Sequence, residues 1–354
     1  MMISIGILAH NEARVIEETI SSLFSQTVFN KYSDDYSNIL WEIIVVPNGC
    51  TDDTYAIALT CFDNHIKKNG LKNITSKVAV VVDAGKSNAW NLFVHDISSP
   101  IADIIIMIDA DIKFGEPETI ANCISALMAD ARAVVVVDQP LKDAALKYRL
   151  TFLERFSVAA SKPSINGTPL IAGSFYCARA ISLREIWMPS GLPVEDGFLH
   201  AMVVTNCFRE PVDSNKVIRA PNSTHYFETL TNIKHIFRHE LRMVIGSALN
   251  CYLAWDMLYF STDPLGPGAG VTIRNRMAQD PLWYQKLINN AILNHGWWVL
   301  PRGLLFRRFR KQWPTHSFER FKAVLTAIAA FFFDLAVLIV ANNRLKRFQV
   351  VGFW

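Results

Sequence analysis

Asp109-Ala110-Asp111 stands at the end of an apolar run, Ile104-Ile105-Ile106-Met107-Ile108. Two carboxylates one residue apart can share one hard divalent cation, and Mg²⁺ or Mn²⁺ held there can bridge to a substrate diphosphate. Other turns carry comparable polar signatures. Ala9-His10-Asn11-Glu12 follows the first apolar run, and Pro47-Asn48-Gly49-Cys50-Thr51-Asp52 follows the second. Gly85-Lys86-Ser87-Asn88-Ala89-Trp90-Asn91 follows the third. Further on come Gly173-Ser174, the acid pair Glu195-Asp196, the lone His225, and His239-Glu240-Leu241-Arg242-Met243. Together they offer carboxylates for a metal, a lysine for phosphate charge, small residues for close backbone approach and a further carboxylate as base.

The elements between these turns must bring them to one crevice. Residues 3–8, 41–46, 76–82, 103–108 and 133–137 read as apolar strands. Residues 14–24 and 86–95 read as helices, Thr51-Asp52-Asp53 caps another, and Pro117 opens one at a position where its missing N–H does no harm. Continuous β-branched runs fit strands buried on both faces. The alternation predicts an α/β fold with right-handed crossovers around a mostly parallel sheet, Rossmann-like in layout. Ligands in such sheets collect beyond the carboxyl ends of the strands.

The chain has 354 residues, 51% hydrophobic, with a formal charge of +3. That charge is too small to imply a nucleic-acid partner. The six cysteines are scattered, without zinc spacing or a disulfide framework, which favours a reducing compartment. Met1 to Leu8 lacks a basic leader and a cleavage site, so it reads as a strand rather than a signal peptide. Asn166-Gly167-Thr168 matches a glycosylation acceptor pattern, without relevance under that reading.

In the order and spacing of these motifs, residues 3–246 resemble the family 2 inverting glycosyltransferases, which have the A-type nucleotide-diphospho-sugar transferase fold. The resemblance implies that Ala9, Asn11, Glu12, Asn48, Asp52, Gly85, Lys86, Asp109, Gly173 and Arg242 line the donor site. It implies that Asp109 and Asp111 hold Mg²⁺ or Mn²⁺, with His225 as a third ligand, and that Asp196 is the catalytic base. The reaction would move a sugar from a nucleotide-diphospho-sugar, a UDP-sugar first of all, to a hydroxyl of a saccharide or lipid-linked acceptor in cell-surface glycan or polysaccharide synthesis. Three departures matter. Pro47 stands where the family has an aspartate, and His10 replaces a tyrosine. His239-x-x-Arg242-Met243 replaces the Gln-x-x-Arg-Trp of processive members, so the chain is expected to add one or a few sugars.

Residues 1–230 are read as the catalytic domain and 231–320 as a helical extension. Trp297, Trp298, Arg302, Arg307, Arg308, Arg310, Lys311 and Trp313 give that extension a basic-aromatic character suited to an anionic membrane surface. Residues 321–341 are nearly all apolar and would be about 30 Å long as a helix, a candidate membrane segment. Asp334 inside it argues for burial in protein instead. The expected location is the cytoplasmic face of a membrane, otherwise the cytoplasm. Two rival functions are a catalytically silent sugar-nucleotide-binding subunit and a nucleotidyltransferase of related fold. The latter wants a glycine-rich phosphate loop that His10-Asn11-Glu12-Ala13-Arg14 does not supply.

Overall fold

The computed structural model describes residues 1–30, 36, 38–69, 73–146, 168–230, 232–260, 266–304 and 317–347. Its centre is an eight-stranded sheet in the order β3-β2-β1-β4-β7-β6-β8-β5. In chain order the strands are β1 (Met2–Ala9), β2 (Leu40–Pro47), β3 (Ile74–Val78), β4 (Ile104–Asp109), β5 (Lys113–Phe114), β6 (Val135–Lys142), β7 (Phe175–Arg179) and β8 (Val217–Phe227). The pairings β1–β2, β1–β4, β2–β3 and β6–β8 are parallel, whereas β7 runs antiparallel to β4 and β6, and β5 antiparallel to β8. The mostly parallel α/β sheet expected from the alternation is therefore present.

Register explains why the polar turns meet. Leu8 lies opposite Asp109 and Ala9 opposite Pro47, so three parallel strands end on one line. Ile108 lies opposite Phe175, and the Asp109 amide donates to the Ser174 carbonyl at 2.8 Å. Gly173 and Ser174 are thereby pinned beside the Asp-Ala-Asp turn.

Two apolar layers cover the sheet. One face carries α1 (Ile16–Phe24), α2 (Thr54–Asn69) and α4 (Thr119–Ala129). In α1 the buried residues are Ile16, Thr19, Ile20, Leu23 and Phe24, the stripe that a 3.6-residue period places on one side. The other face packs Trp90 and Phe93, from α3 (Lys86–Leu92) and the π-helical turn Phe93–Ile97 after it, against Phe198 and Met202 of α6 (Glu195–Val204). The short α5 (Ala180–Leu183) joins that layer. Its core continues into α7 (Ile233–Phe260), α8 (Ala269–Gln279), α9 (Trp283–Asn294) and α10 (Ser317–Lys346).

The third strand is shorter than the expected 76–82. The ladder ends at Val78, after which Ala79 and Val81 still donate to Val45 and Pro47 carbonyls at 2.9 and 2.8 Å. The expectation of a membrane segment over 321–341 needs correction. Among the described residues no helix is long and apolar enough to cross a membrane. In α10, Val337, Leu338, Ala341 and Leu345 are buried with residues of α7 and α9, and Asp334 is buried too. Asn342 accepts from the Val299 amide at 2.8 Å and donates to the Trp297 carbonyl at 3.0 Å. This half of the helix is spent on intramolecular packing. Arg307, Arg308, Arg310, Lys311 and Trp313 of the basic-aromatic stretch lie outside the described residues, as do Asn166 and Gly167.

Candidate active site

Lys86 is the hub of the crevice. Its ammonium lies 2.8 Å from the Asp109 carboxylate, 3.0 Å from that of Glu195, and donates to the Gly173 carbonyl at 3.3 Å. It opens α3 and so points back toward the strand ends. The left-handed backbone of Gly85 (φ 145°) sets that start, and the Gly85 amide donates to Asn48 Oδ1 at 2.7 Å. Burial alone would push the Lys86 ammonium down, but the carboxylates of Asp109 and Glu195 override it and hold the lysine charged.

Asp109 shows the opposite balance. Burial lifts its carboxyl to about 6, with Asp111 adding to the rise and Lys86 opposing it. Asp196 is also raised, first by burial and then by Glu195, against the pull of Lys86 and hydrogen bonds from Gly197 and Gly173. The Gly197 amide donates to Asp196 Oδ1 at 2.7 Å. Glu195 and Asp196 occupy the first turn of α6, where the helix dipole favours negative charge. Gly173 lies between the two acids and the lysine. A Cβ there would sit 2.8 Å from Glu195 Oε1, 3.1 Å from Lys86 Nζ and 3.5 Å from Asp196 Cβ. No side chain fits at that position without displacing the ion pair.

Beneath Lys86, the Trp90 indole donates to the Tyr176 hydroxyl at 2.5 Å, both side chains buried. They form the floor of a cavity of about 10 Å³ also lined by Asp109, Gly173, Glu195 and Asp196. That is the size of about one water molecule.

Glu12 faces the same crevice from the β1 turn. Burial first, then the charges of Asp111, Asp109, Asp52 and Glu228, lift its carboxyl to about 7. Four acids acting on Glu12, with one lysine tied to Asp109, leave an excess of negative charge at the strand ends. Such a donor set suits a hard divalent cation. Among the described residues no three His, Cys, Asp or Glu side chains are grouped as a ready metal cage. A cation on Asp109 and Asp111 would therefore take its remaining ligands from diphosphate oxygens and water, the usual coordination of Mg²⁺. Asp111 is exposed and open to such a ligand.

The other expected site residues separate into two groups. Asn11 and Asp52 are exposed at the crevice edge but also build it. Asn11, at φ 57°, accepts from the Thr51 amide at 2.8 Å, and Asp52 accepts from the Ala13 amide at 3.0 Å and the Thr54 hydroxyl at 2.6 Å. Ala9 and Asn48 are buried. Asn48 donates to the Asp83 carbonyl at 2.9 Å while accepting from Gly85, so its side chain staples the second and third turns together and has no free face for a donor. Arg242 is half-buried on α7, four residues before Gly246, which abuts Val194 at the start of α6. It lies close enough to His239 to add to the lowering that burial causes there.

His225, the expected third ligand, lies behind the Gly173-Ser174 segment. It is fully buried, with Nδ1 2.8 Å from Asp138 and Nε2 2.9 Å from the Ser174 hydroxyl. Both ring nitrogens are engaged, one by the Asp138 carboxylate and one by the Ser174 hydroxyl. Asp138 was not singled out by the sequence as a site-forming residue. Asp138 carried one signal: it follows the fifth apolar run as Asp109 follows the fourth.

Residues 4–166 match the model described as "Glycosyl transferase family 2". No curated protein sequence matches the chain. Among solved structures, glucosyl-3-phosphoglycerate synthase from Mycobacterium tuberculosis, in complex with Mn²⁺, UDP-glucose and phosphoglyceric acid, is 18% identical with a TM-score of 0.47, over 71% of this chain and 79% of that one. The same enzyme with Mg²⁺ and UDP is 19% identical with a TM-score of 0.44, over 70% and 77%. A further mycobacterial protein is 17% identical with a TM-score of 0.46, over 71% and 74%.

Proposed function

We propose, for a chain whose residues 4–166 match the glycosyl transferase family 2 model, an inverting, metal-dependent transfer of a sugar from a nucleotide-diphospho-sugar to an acceptor hydroxyl. The observation that carries this reading is Lys86 joining Asp109 at the strand ends to Glu195 beside Asp196. One ammonium thereby ties the diphosphate side of the crevice to the base side.

In this reading a divalent cation, Mg²⁺ or Mn²⁺, would sit on Asp109 and Asp111 and neutralise charge on the departing diphosphate. Glu12, Asn11 and Asp52 edge the nucleotide side. Asp196 takes the proton of the acceptor hydroxyl as that oxygen attacks the anomeric carbon. Burial and Glu195 raise its proton affinity, the direction a general base requires. Glu195 holds Lys86 in place, and Lys86 offers a fixed positive charge toward which the leaving group develops its own. Gly173 lets the donor approach the backbone closely. UDP-sugars are the first donors to test, with a saccharide hydroxyl as acceptor.

Nucleoside diphosphate release from a panel of nucleotide sugars with Mn²⁺, with saccharide acceptors present, tests this. The wild type should turn over at least one donor, and Asp196→Asn should lower kcat by on the order of 10²-fold or more with donor binding kept. Equal turnover in the variant would remove Asp196 as the base.

A further inference from the structure

A second cleft lies away from these groups, between α7 and α9, with a volume of about 390 Å³. Tyr252, Trp255, Asp256, Trp283, Asn290 and His295 line it. Trp255 leaves half of its indole open, at 51% exposure. That ring is held in place. It lies parallel to His295, at 6.0 Å and 6° between planes, and Tyr252 meets both edge-on, at 5.6 and 5.0 Å. His295 is itself tethered through Nδ1 to the Ala291 carbonyl at 2.8 Å. Across the cleft, Trp283 carries the Arg276 guanidinium 5.2 Å from its ring centre, and Arg276 is bonded to Asp256 at 2.7 Å.

We propose that this cleft is a second binding site, for a neutral oligosaccharide. An open, orientationally fixed indole stacks well against the C–H face of a pyranose, and planar polar side chains at its edge satisfy the hydroxyls. Asn290 and Asp256 supply that polar edge. Among the described residues, the charges around the cleft are matched in pairs, Arg276 with Asp256 and Lys286 with Asp280 at 2.6 Å, which favours a neutral ligand over a phosphate or a nucleotide. The volume falls in the range of small-ligand pockets, about 300–1,000 Å³. The cleft is also coupled mechanically to the crevice. Asn250 on α7 donates to the Val194 carbonyl at 2.8 Å, directly before Glu195, and Trp255 follows five residues later, about 7.5 Å along the same helix. A glycan held on Trp255 is held by the helix that braces the proposed base.

Binding is measured on the full chain without donor or metal, so its outcome is independent of the transferase reading. Maltohexaose, cellohexaose and chitohexaose at millimolar concentration are titrated while tryptophan fluorescence and saturation-transfer NMR are followed, with UDP as the charged control. At least one hexasaccharide should bind, Trp255→Ala should weaken it by roughly tenfold or more, and Asn290→Ala should weaken it less. Both side chains are exposed, so the variants should keep the wild-type melting temperature; Trp255→Phe should restore part of the affinity if folding is in question. The proposal is overturned if none of the three binds, if binding survives Trp255→Ala, or if UDP perturbs the Trp255 signal in place of the saccharides.

Discussion

Lys86→Met removes the cation that ties Asp109 to Glu195 while keeping much of the side-chain volume. The Lys86, Asp109 and Glu195 side chains are 21%, 23% and 12% exposed, so the pairs are largely withdrawn from water. Removing one partner of a buried ion pair costs about 3–5 kcal/mol, and the residual exposure places this case near the lower end, about 3 kcal/mol at pH 8. The cost should depend on pH. Asp109 titrates at about 6 even with Lys86 beside it, and losing the lysine lifts it further. A carboxyl whose folded value exceeds its unfolded value binds its proton more tightly when folded. It therefore costs stability as pH rises from the unfolded value through the folded one. Below about pH 6 Asp109 is protonated in both proteins and adds little to the difference; above it the loss grows as pH climbs toward the variant's higher value. Urea denaturation at pH 5 and pH 8, wild type against variant, reads the difference directly. The expected result is a small loss at pH 5 and a loss near 3 kcal/mol at pH 8. An equal loss at both pH values, or a larger one at pH 5, would refute the claim that charge on Lys86 holds these acids together.

Gly173→Ala should displace the Glu195 and Lys86 termini by a few tenths of an ångström, because its Cβ would meet them at 2.8 and 3.1 Å. Flexible side-chain ends absorb that at little cost to the melting temperature, while kcat should fall by on the order of 10²-fold from misplacement; thermal melts and turnover together separate the two. Glu12→Gln should stabilise the protein at alkaline pH and not at acid pH, since the Glu12 carboxyl, raised to about 7, loses stability as pH rises from 4.5 to 7. Discounted for its half-exposed position, the gain at pH 8 should be about 1 kcal/mol by urea denaturation. Asn342→Ala should cost about 1–3 kcal/mol by urea denaturation, since it strands the buried Val299 amide and removes the bond to the Trp297 carbonyl. A neutral result there would mean that α10 is not packed as described.

How legible the molecule was depends on which interactions set each part. β1, β2 and β4 were plain because strands buried on both faces must be apolar throughout, and their polar ends marked the crevice. β8 was hidden because Pro221-Asn222 reads as a turn; in the fold Asn222 takes φ 49° where the ladder with β6 shifts register. The acids and Lys86 were found by type and spacing. Their pairing was not, since a lysine at a helix start looks solvated until β7 brings Gly173 against it. Asn48 and His225 show what spacing does not reveal. Both residue types can bind ligands, but contacts distant in sequence, to Asp83 and Gly85 in one case and Asp138 and Ser174 in the other, consume their polar atoms. The apolar stretch 321–341 misled for a related reason. Apolar length does not distinguish a lipid-facing helix from one that packs on α7 and α9.

Calorimetric titration of UDP, then of the other nucleoside diphosphates, in Mn²⁺ and in EDTA, into wild type, Asp111→Asn and Asp196→Asn tests the proposed crevice most directly. The account predicts metal-dependent binding of a nucleoside diphosphate to the wild type, its loss in Asp111→Asn and its retention in Asp196→Asn. If no nucleoside diphosphate binds with the cation present, or if Asp111→Asn in Mn²⁺ binds as tightly as the wild type does in Mn²⁺, the central claim is contradicted.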